Sequence, residues 1–293
     1  MKPGVVLAYS ACALIWGTTY FAIRVCIAQD GYATYLAAAL RFAIAGALLL
    51  GLYAGGMFSP GPRPGRERRW VCAAGLLNAV AYALVYTAEE SITGGLAAVI
   101  FGTLPLVTAL VTGLLGVERA SRAAVLGALI SLCGIAIISW DRLEVSVAQA
   151  GGVAMMLGAV LMCTLYNIVL KKQARQAHPL AANAVFLAST GVWLSLLAVA
   201  VERRPPPWPL PHAPTLALLY LALIGSVAAF AGYFYLLKRV RLMTLSTLVL
   251  VQPVVALGVD AVWEHERIVA RTYLGAAITL FGVLVNLTLS PRK

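Results

Sequence analysis

Apolar runs of about the length of a bilayer-spanning helix recur along this sequence from one end to the other, separated by short polar breaks. Ten can be drawn, at 5–27, 34–54, 70–88, 94–116, 123–140, 150–170, 181–201, 214–236, 244–263 and 271–289. A helix needs about 20 mostly apolar residues to cross the hydrocarbon core. Lipid satisfies no backbone polar group, so spanning segments are helices or closed barrels, and runs this long without strict alternation predict helices. The longest breaks, 55–69 and 202–214, are rich in Pro and Gly and read as loops, leaving no room for an attached soluble domain. The first run is long and is followed by nine others, so it reads as a span and not as a cleavable signal. The expected fold is an all-α integral membrane protein with ten transmembrane helices.

Composition agrees. Of the 293 residues, 61% are hydrophobic and only 11% are Asp, Glu, Lys or Arg, where a soluble domain carries about a quarter charged residues. A net charge of +11 would suggest nucleic acid in a soluble chain; here it predicts basic cytoplasmic loops and no nucleic-acid partner. With the N-terminus inside, Lys2, Arg63, Arg66, Arg68, Arg69, Arg119, Arg122, Lys171, Lys172, Arg175, Lys238, Arg239, Arg241, Arg292 and Lys293 are cytoplasmic. Only Arg142, Arg203, Arg204, Arg267 and Arg271 fall outside, so both termini are expected in the cytoplasm.

An internal duplication orders the spans. GTLPLVTALVTGLLGVER (102–119) and LVQPVVALGVDAVWEHER (250–267) align at an offset of 148, placing Pro105 on Pro253 and Glu118-Arg119 on Glu266-Arg267. At the same offset LGALISLCG (126–134) matches LGAAITLFG (274–282) at six of nine positions. Two stretches sharing one offset indicate repeats, here 1–145 and 146–293. Each holds five spans, an odd number, so the second copy is inverted relative to the first. Inverted repeats of this kind are a transporter signature, with the substrate site near the midplane.

These features together resemble the drug/metabolite transporter superfamily, and specifically its EamA-type ten-helix members. The resemblance rests on the paired repeats, WGTTYFAIR (16–24), ALRF (39–42) and the Pro-to-Glu-Arg pattern that closes the fourth and ninth helices. It implies a multi-pass carrier of the bacterial inner membrane, usually an exporter of amino acids or other small metabolites, similar to aromatic-amino-acid exporters. It also implies a central cavity lined by helices 1, 3, 4, 6, 8 and 9. One departure is LMCTLYNIV (161–169), where Cys163 stands at about the place of a tryptophan often found in the family.

Candidate residues follow from the polar and aromatic positions on those helices. Trp16, Tyr20 and Arg24 share a face of helix 1, and Asn78, Tyr82 and Tyr86 share a face of helix 3. Phe101 lies one turn before Pro105, and Gln252 directly precedes Pro253. Tyr166 and Asn167 on helix 6, and Ser226, Phe230, Tyr233 and Phe234 on helix 8, complete the set. Aromatic walls with a few amides and phenols suit an amphipathic solute, although aromatics at helical spacing also serve as packing residues and interface anchors. Pro105 and Pro253, mid-span in equivalent helices, predict kinks beside the transport path, either moving hinges or static bends. Arg24 lies close enough to its helix end to snorkel. Arg41 lies roughly 10 Å inside helix 2 and calls for a partner, expected among Asp30, Glu89, Glu90, Asp260 and Glu264, as an outer gate or a fixed ion pair.

Other chemistry is sparse. Cys12, Cys26, Cys72, Cys133 and Cys163 all lie in spans without paired spacing, which points to packed thiols and to neither disulfides nor a metal site. No P-loop, H-E-x-x-H or G-x-S-x-G is present, so neither catalytic residues nor a cofactor is expected. Gly127, Gly134, Gly275 and Gly282 read as close helix-packing surfaces. No acid sits at mid-span; Asp260 is near an outer end, which leans towards facilitated transport but leaves a gradient-driven exchanger open. The expected function is a monomeric secondary transporter exporting an amino acid, aromatic or otherwise apolar, by alternating access. A phosphorylated solute such as a nucleotide sugar, or a membrane-embedded enzyme, is the alternative.

Overall fold

The computed structural model describes residues 3–28, 30–89, 91–92, 94–140, 149–174, 176–263 and 270–289, and among these the regular elements are all helices. They are α1 (Pro3–Cys26), α2 (Thr34–Ala54), α3 (Arg66–Glu89), α4 (Gly94–Phe101), α5 (Leu104–Leu114), α6 (Arg122–Ile138) and α7 (Ala150–Gln173). There follow α8 (Pro179–Val201), α9 (His212–Ala222), a π-helical stretch (Leu223–Ala228), α10 (Ala229–Leu237), α11 (Leu242–Ser246), α12 (Leu248–Trp263) and α13 (Ala270–Leu289). Among the described residues nine segments are long and apolar enough to cross a bilayer, taking α4–α5, α9–α10 and α11–α12 as single crossings. The apolar α6, at 17 residues, supplies the tenth. Each expected span is thus helical, with ends shifted by about one turn at most.

Three spans depart from simple helices. The fourth is interrupted at Gly102 and Thr103, so that Pro105 stands in the first turn of α5. Proline has no N–H to give and disfavours helical geometry in the residue before it, so a helix start is its natural place. The ninth is interrupted at Thr247, six residues before Pro253, which lies inside a continuous α12. The interruptions therefore precede the prolines, by two to three residues in the fourth span and by six in the ninth. The eighth widens over Leu223–Ala228 into π-helical hydrogen bonding, which no sequence signal announced.

The chain gathers into two compact units. The first takes the chain up to Gly17, Leu84–Thr164 and everything from Arg239; the second takes Thr18–Ala83 and Leu165–Lys238. Each therefore draws helices from both sequence repeats. In the first unit, α6 packs along α13 through the repeated glycines. A Cβ placed on Gly127 would lie 2.6 Å from the carbonyl oxygen of Gly282, and one on Gly134 would lie 2.6 Å from that of Gly275. The pair is consequently antiparallel. At its centre the Ser131 hydroxyl donates to the Thr279 carbonyl at 2.9 Å, and the Thr279 hydroxyl donates back to the Ser131 carbonyl at 3.4 Å. These residues are 148 apart, so equivalent positions meet across a local two-fold axis.

The second unit repeats the arrangement with α2 and α8. A Cβ on Gly46 would lie 2.5 Å from Ala188 Cα, and one on Gly191 would lie 2.7 Å from the amide nitrogen of Ala43. Ala43 and Gly191 are again 148 apart, and the helices again run in opposite directions. Equivalent helices that oppose each other are what inverted repeats require. Small residues at such crossings allow backbone approach in a medium where apolar burial drives association weakly. Elsewhere the units are closed by ordinary apolar packing: Ala88, Leu96, Ile100 and Met156 in the first, Ala22, Cys26, Leu218 and Leu221 in the second.

Candidate functional site

Arg41 is the most informative side chain in the second unit. It is 3% exposed and lies on α2, two turns from the helix start. Its Nε donates to Ser226 Oγ at 2.9 Å and its Nη2 to the Gly225 carbonyl at 3.2 Å. Both acceptors belong to the π-helical stretch, and π-helical turns are frequent at functional sites. Gly225 lies close beneath its neighbours: a Cβ there would lie 2.9 Å from Thr19 Cγ2 and 3.3 Å from Arg41 Nη2. Among the described residues, the polar partners of Arg41 are therefore a hydroxyl and a carbonyl. Asp30 is solvent-exposed in the turn before α2; the side chains of Glu89 and Asp260, and all of Glu90 and Glu264, lie outside the described residues. A buried guanidinium is costly to desolvate. Here neutral acceptors and the Phe42 ring, whose centroid is 5.2 Å from Cζ, offset that cost in part.

Phe42, next in sequence, links the charge to an aromatic cluster. Its ring meets Tyr82 edge-on at 5.0 Å and Phe230 at 6.3 Å. Phe230 in turn contacts Phe186 at 5.7 Å and Tyr233 at 5.9 Å, and Tyr166 stands 5.6 Å from Phe186. The Tyr233 hydroxyl donates to Asn167 Oδ1. Tyr82, Tyr166, Asn167, Phe230 and Tyr233 are thus brought together, with Ser226 one turn from Phe230. Asn78 is buried but turns to α8, where its Nδ2 donates to Thr190 Oγ1 at 3.3 Å. Tyr20 is 41% exposed. Arg24 is also exposed, with its Cζ 5.9 Å from the Phe21 ring centroid. Phe42 and Phe186 join the cluster although sequence reasoning passed over them; the signal for Phe42 was its place beside a buried charge in ALRF.

The remaining candidates belong to the first unit. Phe101 packs against the Leu96, Ile100 and Met156 cluster, a packing role. Trp16, Tyr86 and Gln252 are partly buried, Cys163 is buried, and the Pro253 position is partly buried within α12. Gly17, between Trp16 and the threonines of WGTTYFAIR, lets α1 meet α12: a Cβ there would lie 2.3 Å from Val255 Cβ and 3.3 Å from the Gln252 carbonyl oxygen. Both helix interruptions are sealed by threonine. Thr103 Oγ1 donates to the Ile100 carbonyl at 2.6 Å, and Thr247 Oγ1 to the Thr244 carbonyl at 2.7 Å. The Tyr9 hydroxyl joins Thr247 at 2.7 Å. Glu118, of the Pro-to-Glu-Arg pattern, caps α11 by accepting from the Leu242 amide at 2.8 Å. Its repeat counterpart, Glu266-Arg267, lies outside the described residues.

Comparison with known proteins gives a consistent result. The model of the EamA-like transporter family matches twice, over residues 2–140 and 150–288. The Escherichia coli K12 protein "Uncharacterized inner membrane transporter YedA" is 28% identical over 280 residues, covering 95% of this chain and 89% of that one. An "Uncharacterized transporter" of Archaeoglobus fulgidus is 24% identical, covering 97% and 98%. A "Probable terminal-alkyne amino-acid exporter" of Streptantibioticus cattleyicolor is 26% identical, covering 92% and 89%. A solved crystal structure superposes with a TM-score of 0.82 at 20% identity over the full length of both chains, a likeness of fold.

Proposed function

The chain belongs to the EamA-like transporter family, and on that premise we propose that it exports an apolar or aromatic amino acid across a bacterial inner membrane by alternating access. The observation that carries this reading is the buried Arg41 guanidinium at the edge of the Phe42, Tyr82 and Phe230 cluster. An amino acid presents a carboxylate and an apolar side chain at that spacing. The carboxylate would take a charge-assisted, bidentate pair from Arg41, while the side chain would lie against aromatic faces. The rings pack on one another, so a solute enters by displacing ring contacts. The name of the Streptantibioticus relative supports an amino-acid solute. One guanidinium balances one carboxylate and falls short of a pyrophosphate, which weighs against a nucleotide sugar.

The test is a panel of labelled solutes in proteoliposomes carrying the purified chain, with and without a pH gradient. Apolar and aromatic amino acids are expected to exchange, with rates that a pH gradient leaves unchanged if transport is facilitated. Exchange of nucleotide sugars but of no amino acid would overturn the reading.

A further inference from the structure

Helices α2 and α8 are tied together at two levels. Near mid-helix, Gly46 and Gly191 bring the backbones into contact. At their shared end the Glu202 carboxylate accepts from the amides of Tyr35 at 2.7 Å and Leu36 at 2.8 Å, capping α2. Along the seam near this end the two helices line an open groove of about 650 Å³. Leu36, Leu40, Ser195 and Val199 wall it, and Arg203 and Arg204 stand at its end.

Two features distinguish the groove from ordinary lipid-facing surface. The first is charge. Both arginines are exposed, the neighbouring Glu202 directs its two oxygens to α2, and among the described residues no acid lies within ion-pair distance of either guanidinium. The second is backbone strain. Arg203 follows the end of α8 at φ 50°, with its N–H directed to the Ala198 carbonyl at 3.2 Å. Glycine takes that left-handed position freely and arginine does not. A strained non-glycine residue at a ligand-sized groove is a pointer to a binding role. Trp208, 87% exposed in the same loop, is of the type enriched at headgroup depth.

We propose that this groove holds an anionic phospholipid, with one acyl chain between α2 and α8 and its phosphate held by Arg203 and Arg204. Apolar walls select the chain, and paired guanidinium groups select a negatively charged headgroup, as basic pockets between membrane helices do. A lipid bound there would bridge α2 and α8 and so stabilise the pair. None of the residues that line the groove is among those proposed to meet the solute.

The experiment uses the full chain purified in detergent and titrated with phosphatidylglycerol, with phosphatidylcholine of the same acyl chains, and with glycerol 3-phosphate. Native mass spectrometry counts bound lipid, and thermal unfolding reads stabilisation. Phosphatidylglycerol is expected to bind at least about tenfold more tightly than phosphatidylcholine, and glycerol 3-phosphate is expected to have no effect. The double variant Arg203→Gly with Arg204→Gln keeps the backbone conformation and is expected to bind both lipids equally. Ser195→Phe fills the groove and loses only a bond within its own helix, Ser195 Oγ to the Gly191 carbonyl; it is expected to remove one bound lipid of either kind. Val199→Trp serves the same purpose if that variant folds poorly. Equal binding of the two lipids by the unaltered chain, or an undiminished phosphatidylglycerol preference in the double variant, overturns the proposal. A full stabilising shift from glycerol 3-phosphate alone would assign the arginines to a soluble anion instead.

Discussion

Arg41 depends on a neighbour that has no side chain. The absent side chain at Gly225 gives the guanidinium its place against the π-helical carbonyl. Gly225→Ala would press on Thr19 and Arg41, both ends of side chains that can yield. Thermal unfolding should therefore report a loss of only about 1 kcal/mol. Solute affinity should weaken about tenfold as Arg41 turns away from its acceptors. A large stability loss with affinity intact would place Gly225 in packing alone. The sequence disclosed that Arg41 was a deep charge in need of a partner, because depth follows from helix rise. It could not disclose the bond to Ser226, since no periodicity links α2 to a helix almost two hundred residues away. Asn78 illustrates the same limit: helical spacing put it on one face with Tyr82, yet its amide is used by Thr190 on α8.

Helices were legible wherever the signal was compositional and repeated. The α6–α13 contact could be anticipated from Gly127, Gly134, Gly275 and Gly282 because both copies carry the same spacing. Gly134→Leu forces atoms onto the Gly275 carbonyl and the Thr279 backbone, which cannot move aside as a side-chain end can. The unfolding midpoint should fall, by an amount equivalent to about 3 kcal/mol or more. Gly113→Ala is the control: nothing lies within 4 Å of its added carbon, and in α5 it should be neutral or stabilising by about 0.5–1 kcal/mol. Equal losses in the two variants would refute the packing assignment. The interruption at Thr247 was not legible. Proline is read as a breaker and threonine is not, and the Thr247 break depends on bonds from Thr247 and Tyr9 that exist only in the folded chain.

For the whole molecule, the antiparallel pairing of equivalent helices in each unit fits two five-helix repeats threaded through the bilayer in opposite senses. With Cys133 replaced by serine, Met57→Cys should react with a membrane-impermeant maleimide only from the cytoplasmic side, and Trp208→Cys only from the outside. Both positions are well exposed, so labelling of the two from one face would refute the inverted arrangement. The count of spans and their duplication were readable from apolar length and a single sequence offset, whereas the division into two units was not, because each unit mixes both halves of the chain. The central claim is that the carried solute is held through its carboxylate by Arg41. Its most direct measurement is equilibrium binding of a transported amino acid, and of the same molecule as its amide, to the purified chain and to Arg41→Gln. Loss of a charged hydrogen-bonding partner costs about 1.5–3 kcal/mol. The unaltered chain should therefore prefer the acid over the amide by roughly ten- to hundredfold, and Arg41→Gln should bind the two alike. An acid preference that survives in the folded Arg41→Gln chain would contradict the account.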